Sequence, residues 1–287
     1  RILRDPKIIY KKNNQPFKFN QKIDGELISR DIAELAINFI TPLNIDAGNN
    51  NTFLMQSMGL SELFIVMPID SKLVSDLNLY KQTHKFLKQY DSSSNDTTIN
   101  QIVNERGQQN ERLKSELVEM MKNLIGQSDI IINGGKLDNI TNQDAKSRII
   151  AGFYSLIDNS YPNLEMIPSD VVYTDTNLSQ ILESTQGEIL TSLSSPEQEI
   201  FDLIKRKVNT GIRLPYKDLV NYFEKKPYGW TRTAIHCFTA NLFTKAKIEL
   251  TKDSSVLEGR ELRLALLTHT QWPNVLVQLQ ADFSQQE

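Results

Sequence analysis

Apolar positions along this chain change their spacing twice, near residue 70 and again near residue 195. Up to Ile69 the runs are short and extended. Lys7 to Tyr10 and Phe17 to Phe19 read as strands separated by the polar turn Lys11 to Gln15, and Asp24-Gly25 marks a further turn. Leu35, Ile37 and Phe39 alternate with Glu34, Ala36 and Asn38, the period of a half-buried strand. The continuous run Leu63 to Met67, closed by Pro68, reads as a buried strand, and Asn44 to Asn51 as a polar loop between the two. Residues 1–69 are expected to form a small sheet-rich region.

From Asp70 the period becomes helical. Leu73, Leu77, Tyr80, His84 and Leu87 lie on one helix face that Asp70 or Ser71 can cap. The turn-rich linker Asp91 to Thr98 leads into a second helix with Ile102, Leu113, Leu117, Met120 and Leu124 on its stripe, and Gly107 is a candidate kink or break. Two long helices joined this way predict a helical hairpin. Asp129 to Ile140 reads as a β-hairpin turning at Gly134-Gly135. Helices over Asn142 to Asn159, ended by Tyr161-Pro162, and around Leu178 to Leu182 complete a helical region spanning 70–190, with a boundary at Gln186 to Ser194.

The densest punctuation lies between Ser195 and Leu250. Ser195, Pro196 and Gln198 predict a capped helix start, with Ile200, Phe201, Ile204 and Val208 inward and Gly211 as the stop. Pro215 to Phe223 reads as a second helix, and Phe223 to Trp230, FEKKPYGW, ends in a turn. Thr231 caps a third helix with Ala234, Ile235, Phe238 and Leu242 on its stripe. Lys247 to Leu250, a polar turn at Lys252 to Ser255 and a return through Val256 or Leu262 supply a strand pair. This is the order of a winged-helix module over 191–287, with LRLALL and VLVQL read as terminal strands. The fold class is therefore α+β, mainly helical.

Composition narrows the chemistry. A formal net charge of −3 leaves no global attraction to nucleic acid, so any basic surface is local. The single cysteine, Cys237, excludes an internal disulfide and a thiolate-rich metal site, and reads as a small core hydrophobe. No apolar run of about 18 residues is present, so no membrane span is expected. His84, His236 and His269 share no motif, and the acids have no paired spacing; no catalytic residue, metal or cofactor is expected. Asn133 to Lys136 is not a P-loop, because Lys136 is followed by Leu137 rather than Ser or Thr opening a helix. The candidate nucleic-acid contacts are Lys225, Lys226, Arg232, His236, Lys245, Lys247 and Lys252, placed on the turn, the third helix and the wing. Tyr228 and Trp230 read as plugs of the turn rather than stacking platforms, and Lys205 to Lys207 also suits the end of a helix dipole.

The PYGW turn between two helices, the element LNLYKQTHKFLKQYD at Leu77 to Asp91, the helix NERGQQNERLKSELVEMM at Asn104 to Met121 and the following hairpin resemble the large P-loop ATPases of BREX bacteriophage-defence systems, the BrxC or PglY family. The resemblance spans roughly Asp70 to Leu250. It implies a cytoplasmic bacterial setting, with other BREX subunits or the ATPase core of the same protein as partners. This chain carries no Walker motif, so no ATP-binding residue is carried over, and its ends, Arg1 and Gln-Gln-Glu, read as cuts in a longer protein. The expected role is a non-catalytic assembly region, with duplex DNA as a candidate ligand. The alternative is a free-standing winged-helix DNA-binding regulator.

Overall fold

The computed structural model describes residues 7–28, 33–89, 97–141, 144–169, 171–183 and 192–280. The chain divides into two compact units, residues 1–10 with 16–157 and residues 11–15 with 158–287. Residues 91–96 of the expected linker, 186–191 of the expected boundary and the helix start at Asn142 lie outside the described residues.

The first unit is built on one mixed sheet. Its strands are β1 (Lys7–Ile9), β2 (Pro16–Ile23), β3 (Glu26–Leu27), β4 (Leu35–Ile40), β5 (Glu62–Val66), β6 (Asp129–Ile132) and β7 (Gly135–Lys136). The order is β1-β2-β4-β5-β6-β7, with β3 paired to β2. β2, β4 and β5 run parallel, and the remaining pairs are antiparallel. The hairpin at 129–136 thus pairs with β5, placing it in the same sheet as residues 7–66, with the helical hairpin inserted between them. Asn133 and Gly134, rather than Gly134 and Gly135, take the positive φ of its turn.

Parallel strands need a crossover, and between β4 and β5 it is α1 (Asn50–Ser57), a helix where the Asn tract reads as a loop. Its Phe53 packs with Ile40, Phe64, Val66 and Ile131 on one face of the sheet. On the other face, Phe153 of α4 (Ala145–Ser160) meets Phe19 edge-on at 5.2 Å. With both faces covered, β4 is buried on both sides rather than half-buried. Asn38 is one of the residues so enclosed, and its Oδ1 accepts the Gly25 N–H at 3.1 Å, which satisfies the buried amide.

Helices α2 (Ser71–Gln89) and α3 (Thr97–Gly126) pack against each other as the expected hairpin. Asp70 caps α2 by accepting the Leu73 N–H at 2.7 Å. α3 runs unbroken through Gly107, so the helix is not split in two there. His84 stacks on Tyr80, and among the described residues no cluster of metal-ligating side chains occurs.

The second unit holds α5 (Asp175–Glu183), α6 (Ser195–Asn209), β8 (Leu214–Pro215), α7 (Tyr216–Glu224), α8 (Arg232–Thr244), β9 (Ile248–Lys252), β10 (Ser255–Val256), α9 (Gly259–Leu267) and β11 (Val275–Leu279). Helices α6, α7 and α8 followed by the β9–β10 hairpin are the winged-helix order. The sheet is antiparallel, ordered β10-β9-β11-β8, so β11 rather than the hairpin's return strand lies between β9 and β8. Asp253 and Ser254, both at positive φ, make the two-residue wing turn. The LRLALL run is helical: it lies in α9, and Leu262, Ala265 and Leu266 bury one face at helical spacing. The cap of α6 sits one residue earlier than expected, on Ser194, whose N–H donates to Glu197 Oε2 at 2.8 Å.

At Gly152 α4 packs tightly on the sheet, since a Cβ there would lie 3.0 Å from side-chain carbons of both Ile130 and Leu63. Gly152→Val is expected to destabilise the first unit by about 2 kcal/mol through overpacking, read as a lower urea midpoint at unchanged slope. An unchanged midpoint would show that the helix can lift off the sheet without cost.

Candidate functional site

Every sequence-derived contact residue lies on the winged-helix domain, and their surroundings separate them. The third helix, α8, is the element that reads bases in DNA-binding modules of this order. Here Ala234, Ile235, His236, Cys237, Phe238, Thr239, Ala240 and Leu242 are all buried. The stripe of Ala234, Ile235, Phe238 and Leu242 faces the core as the spacing predicts. The other face is covered by α5 and the residues leading into it, where the Cys237 thiol approaches the Thr174 carbonyl at 3.9 Å, and Tyr173 meets the edge of the core stripe at Phe238, with ring centroids 4.9 Å apart. A helix enclosed on both sides presents no continuous face to a DNA groove.

His236 was expected on the exposed face and is 4% exposed. Its Nδ1 shares a short hydrogen bond with the fully buried Tyr216 hydroxyl, and its ring packs edge-on against Trp272 at 5.4 Å. Burial, with a smaller contribution from the Arg232 charge, lowers its pKa to about 4, so it is neutral at pH 7. Burial likewise pushes the Cys237 thiol up to about 11, which makes it a poor nucleophile.

Two of the candidate cations are tied to carboxylates. Lys245 Nζ donates to Glu197 Oε2 at 2.7 Å, and Glu197, 3% exposed, also receives the Ser194 N–H. One carboxylate thus joins the start of α6 to the end of α8. Arg232 Nε donates to Glu224 Oε1 at 2.6 Å, and its guanidinium lies 5.7 Å from the Trp272 ring centroid. Lys252, half-buried, donates weakly to Gln271 at 3.4 Å. Lys225, Lys226 and Lys247 are exposed. The set therefore splits between structural partners and separate outward-facing lysines. Glu197 was not recognised from the sequence as a partner of Lys245, although it lies at a helix start where a carboxylate meets a distant cation; Glu224, which with Glu249 dilutes the positive charge along the sequence, proves to be the partner of Arg232.

The FEKKPYGW turn is a packed joint. Trp230, 1% exposed, stacks on Phe223 at 4.8 Å and donates from Nε1 to the Asn163 carbonyl at 3.0 Å. Tyr228 is buried as well, and its hydroxyl donates to Glu199 Oε2 at 2.7 Å. Gly229 has φ +64°, and a Cβ there would come within 2.6 Å of the Tyr161 ring, so glycine is required twice over. Both rings serve packing, as read from the sequence, and neither is a platform for a base.

Two family models match the chain. One, described as the BREX ATP-binding protein BrxC 4th domain with six-stranded beta sheet, covers residues 1–156. The other, described as the BREX ATP-binding protein BrxC winged helix-turn-helix domain, covers residues 164–278. The first extends the similarity to the sheet-forming residues before Asp70. The mixed sheet of the first unit lies within those residues, with six strands along its path and β3 paired to β2. No solved structure matches the chain.

The buried His236 links stability to pH. Its folded pKa near 4 lies below the unfolded value of 6.5, so the unfolded chain binds more protons between them, and stability is lost as pH falls from about 6.5 towards 4. The loss attributable to His236 is expected to approach about 3 kcal/mol, read as the difference in urea stability between the parent and His236→Gln at pH 7 and at pH 4.5. Parallel pH curves for the two proteins would contradict it.

Proposed function

The chain belongs to the BrxC family of BREX ATP-binding proteins, and on that premise we propose that it is a non-catalytic assembly region whose winged-helix domain contacts protein rather than reading DNA bases. The observation that carries this reading is the enclosure of α8 between the domain core and α5, which leaves no base-reading face. Two of the cations that would accompany such a face are already held by Glu197 and Glu224. Family membership favours this reading over the free-standing regulator. The reading places the chain in the cytoplasm, with other BREX subunits or the ATPase core of the same protein as partners. Contact with duplex DNA is then limited to phosphates, at the exposed Lys225, Lys226 and Lys247, and carries no sequence information. The described residues also hold no helix long and apolar enough to cross a membrane.

Deleting residues 164–278 from the intact BrxC protein is expected to leave ATP hydrolysis in place while its co-elution with the other BREX subunits is lost. Duplex binding by the 287-residue chain, followed by fluorescence anisotropy over a salt series, is expected to be weak, salt-sensitive and equal for unrelated sequences. Retained co-elution, or a marked preference for one duplex sequence, would refute the reading.

A further inference from the structure

Beside the last turns of α6 and along α7, the winged-helix domain opens into a cleft of about 450 Å³. Its cations come from three separate places: Lys207 from the end of α6, Arg213 from the loop before β8, and Lys225 from the exit of α7. Asp218 is the one carboxylate in the lining. None of the three cations forms an ion pair among the described residues, unlike Lys245 and Arg232. The chain is acidic overall, yet the stretch between residues 205 and 226 is strongly basic, with Asp218 and Glu224 its only acids. Glu224 is already engaged by Arg232. Cations that line a concavity raise the local concentration of an anion there.

The lining also contains a ring. Tyr222 is 41% exposed, and its inner side is fixed by an edge contact with Phe223 at 5.1 Å and a tilted contact with Tyr228 at 5.6 Å. A ring supported on one side and open on the other loses little conformational freedom when something stacks on it. The Asn221 amide lies in the same lining, and the exposed Ile212 adds an apolar edge.

The combination distinguishes the possible ligands. A free phosphate uses the cations and has no need of the ring. A duplex offers phosphates on a convex surface and keeps its bases stacked inside. An acidic peptide satisfies the cations, and nothing in its acidic side chains stacks on the ring. Single-stranded nucleic acid presents phosphates and an unstacked base together, at a size suited to a cleft of this volume. We propose that this cleft binds single-stranded nucleic acid, with the backbone on Lys207, Arg213 and Lys225 and one base against Tyr222. The site lies on α6 and α7, away from α8. It shares only Lys225 with the duplex contacts considered above, so it stands or falls separately from the protein-contact reading.

The test is fluorescence anisotropy of the 287-residue chain with labelled oligo(dT), oligo(rU) and a mixed-sequence duplex, with polyglutamate as competitor. Single strands are expected to bind more tightly than duplex. The variant carrying Lys207→Ser, Arg213→Ser and Lys225→Ser should lose most of that binding, with a salt slope flatter by about two, the value for three phosphate contacts on a single strand. Tyr222→Ala should weaken single-strand binding about tenfold and leave duplex binding unchanged, while Tyr222→Phe retains it. Thermal melting of each variant reports whether its fold is intact. A preference for oligo(dT) or oligo(rU) names the source of the strand, and either supports the proposal. Equal binding of duplex and single strand with Tyr222→Ala silent, displacement by polyglutamate as effective as by oligo(dT), or no binding at micromolar protein would each overturn it.

Discussion

A helix without charge along its middle can be enclosed on all sides, and in the winged-helix domain that helix is α8, buried from Ala234 to Ala240. Between Thr233 and Thr244 it carries no charged residue, so neither face gains from water. The core takes one side through Ala234, Ile235, Phe238 and Leu242, and α5 takes the other. The rest of the domain is arranged to hold this helix. Thr231 caps its start by accepting the Ala234 N–H, Lys245 ties its end to Glu197 at the start of α6, and Trp272 closes over His236. The Phe223, Tyr228 and Trp230 cluster sets the angle at which the chain enters it.

This enclosure decides how the winged-helix order is to be read. The order of elements is shared with DNA-binding modules, but function follows the exposed surface rather than the topology. Here the exposed chemistry has moved off the third helix. It lies at the exit of α7, on the wing and in the cleft beside α6, where lysines and arginines face outward.

Much of the architecture was legible because local signals agreed. Asp70 before an amphipathic run, Asp24-Gly25 as a turn, the Thr231 cap and the alternation leading into the wing all specify local geometry. The α+β class follows from them. Misreadings arose where two local patterns coincide. In LRLALL, Leu262, Leu264 and Leu266 alternate as in a strand, while Leu262, Ala265 and Leu266 share a helix face, and only packing chooses between them. Ser194 with Glu197 and Ser195 with Gln198 are two overlapping capping boxes, so the start of α6 shifts by one residue. The Asn tract concealed α1, whose buried residues are only Phe53 and Ser57. The parallel pairing of β2, β4 and β5 was illegible, since register between distant strands is set by helices covering both faces. Among the candidate contacts, the burial of His236 and the pairing of Lys245 were illegible because their partners, Tyr216, Trp272 and Glu197, are distant in sequence. The lack of charge in α8 was the available signal that its outer face is covered.

The enclosure of α8 is tested most directly by hydrogen–deuterium exchange over residues 234–242, in the free chain and with saturating duplex DNA. The account predicts that these amides are among the slowest in the chain, opening only with unfolding of the domain, and that DNA leaves their rates unchanged. Rapid exchange in the free chain, or slowing confined to α8 on adding DNA, would contradict it.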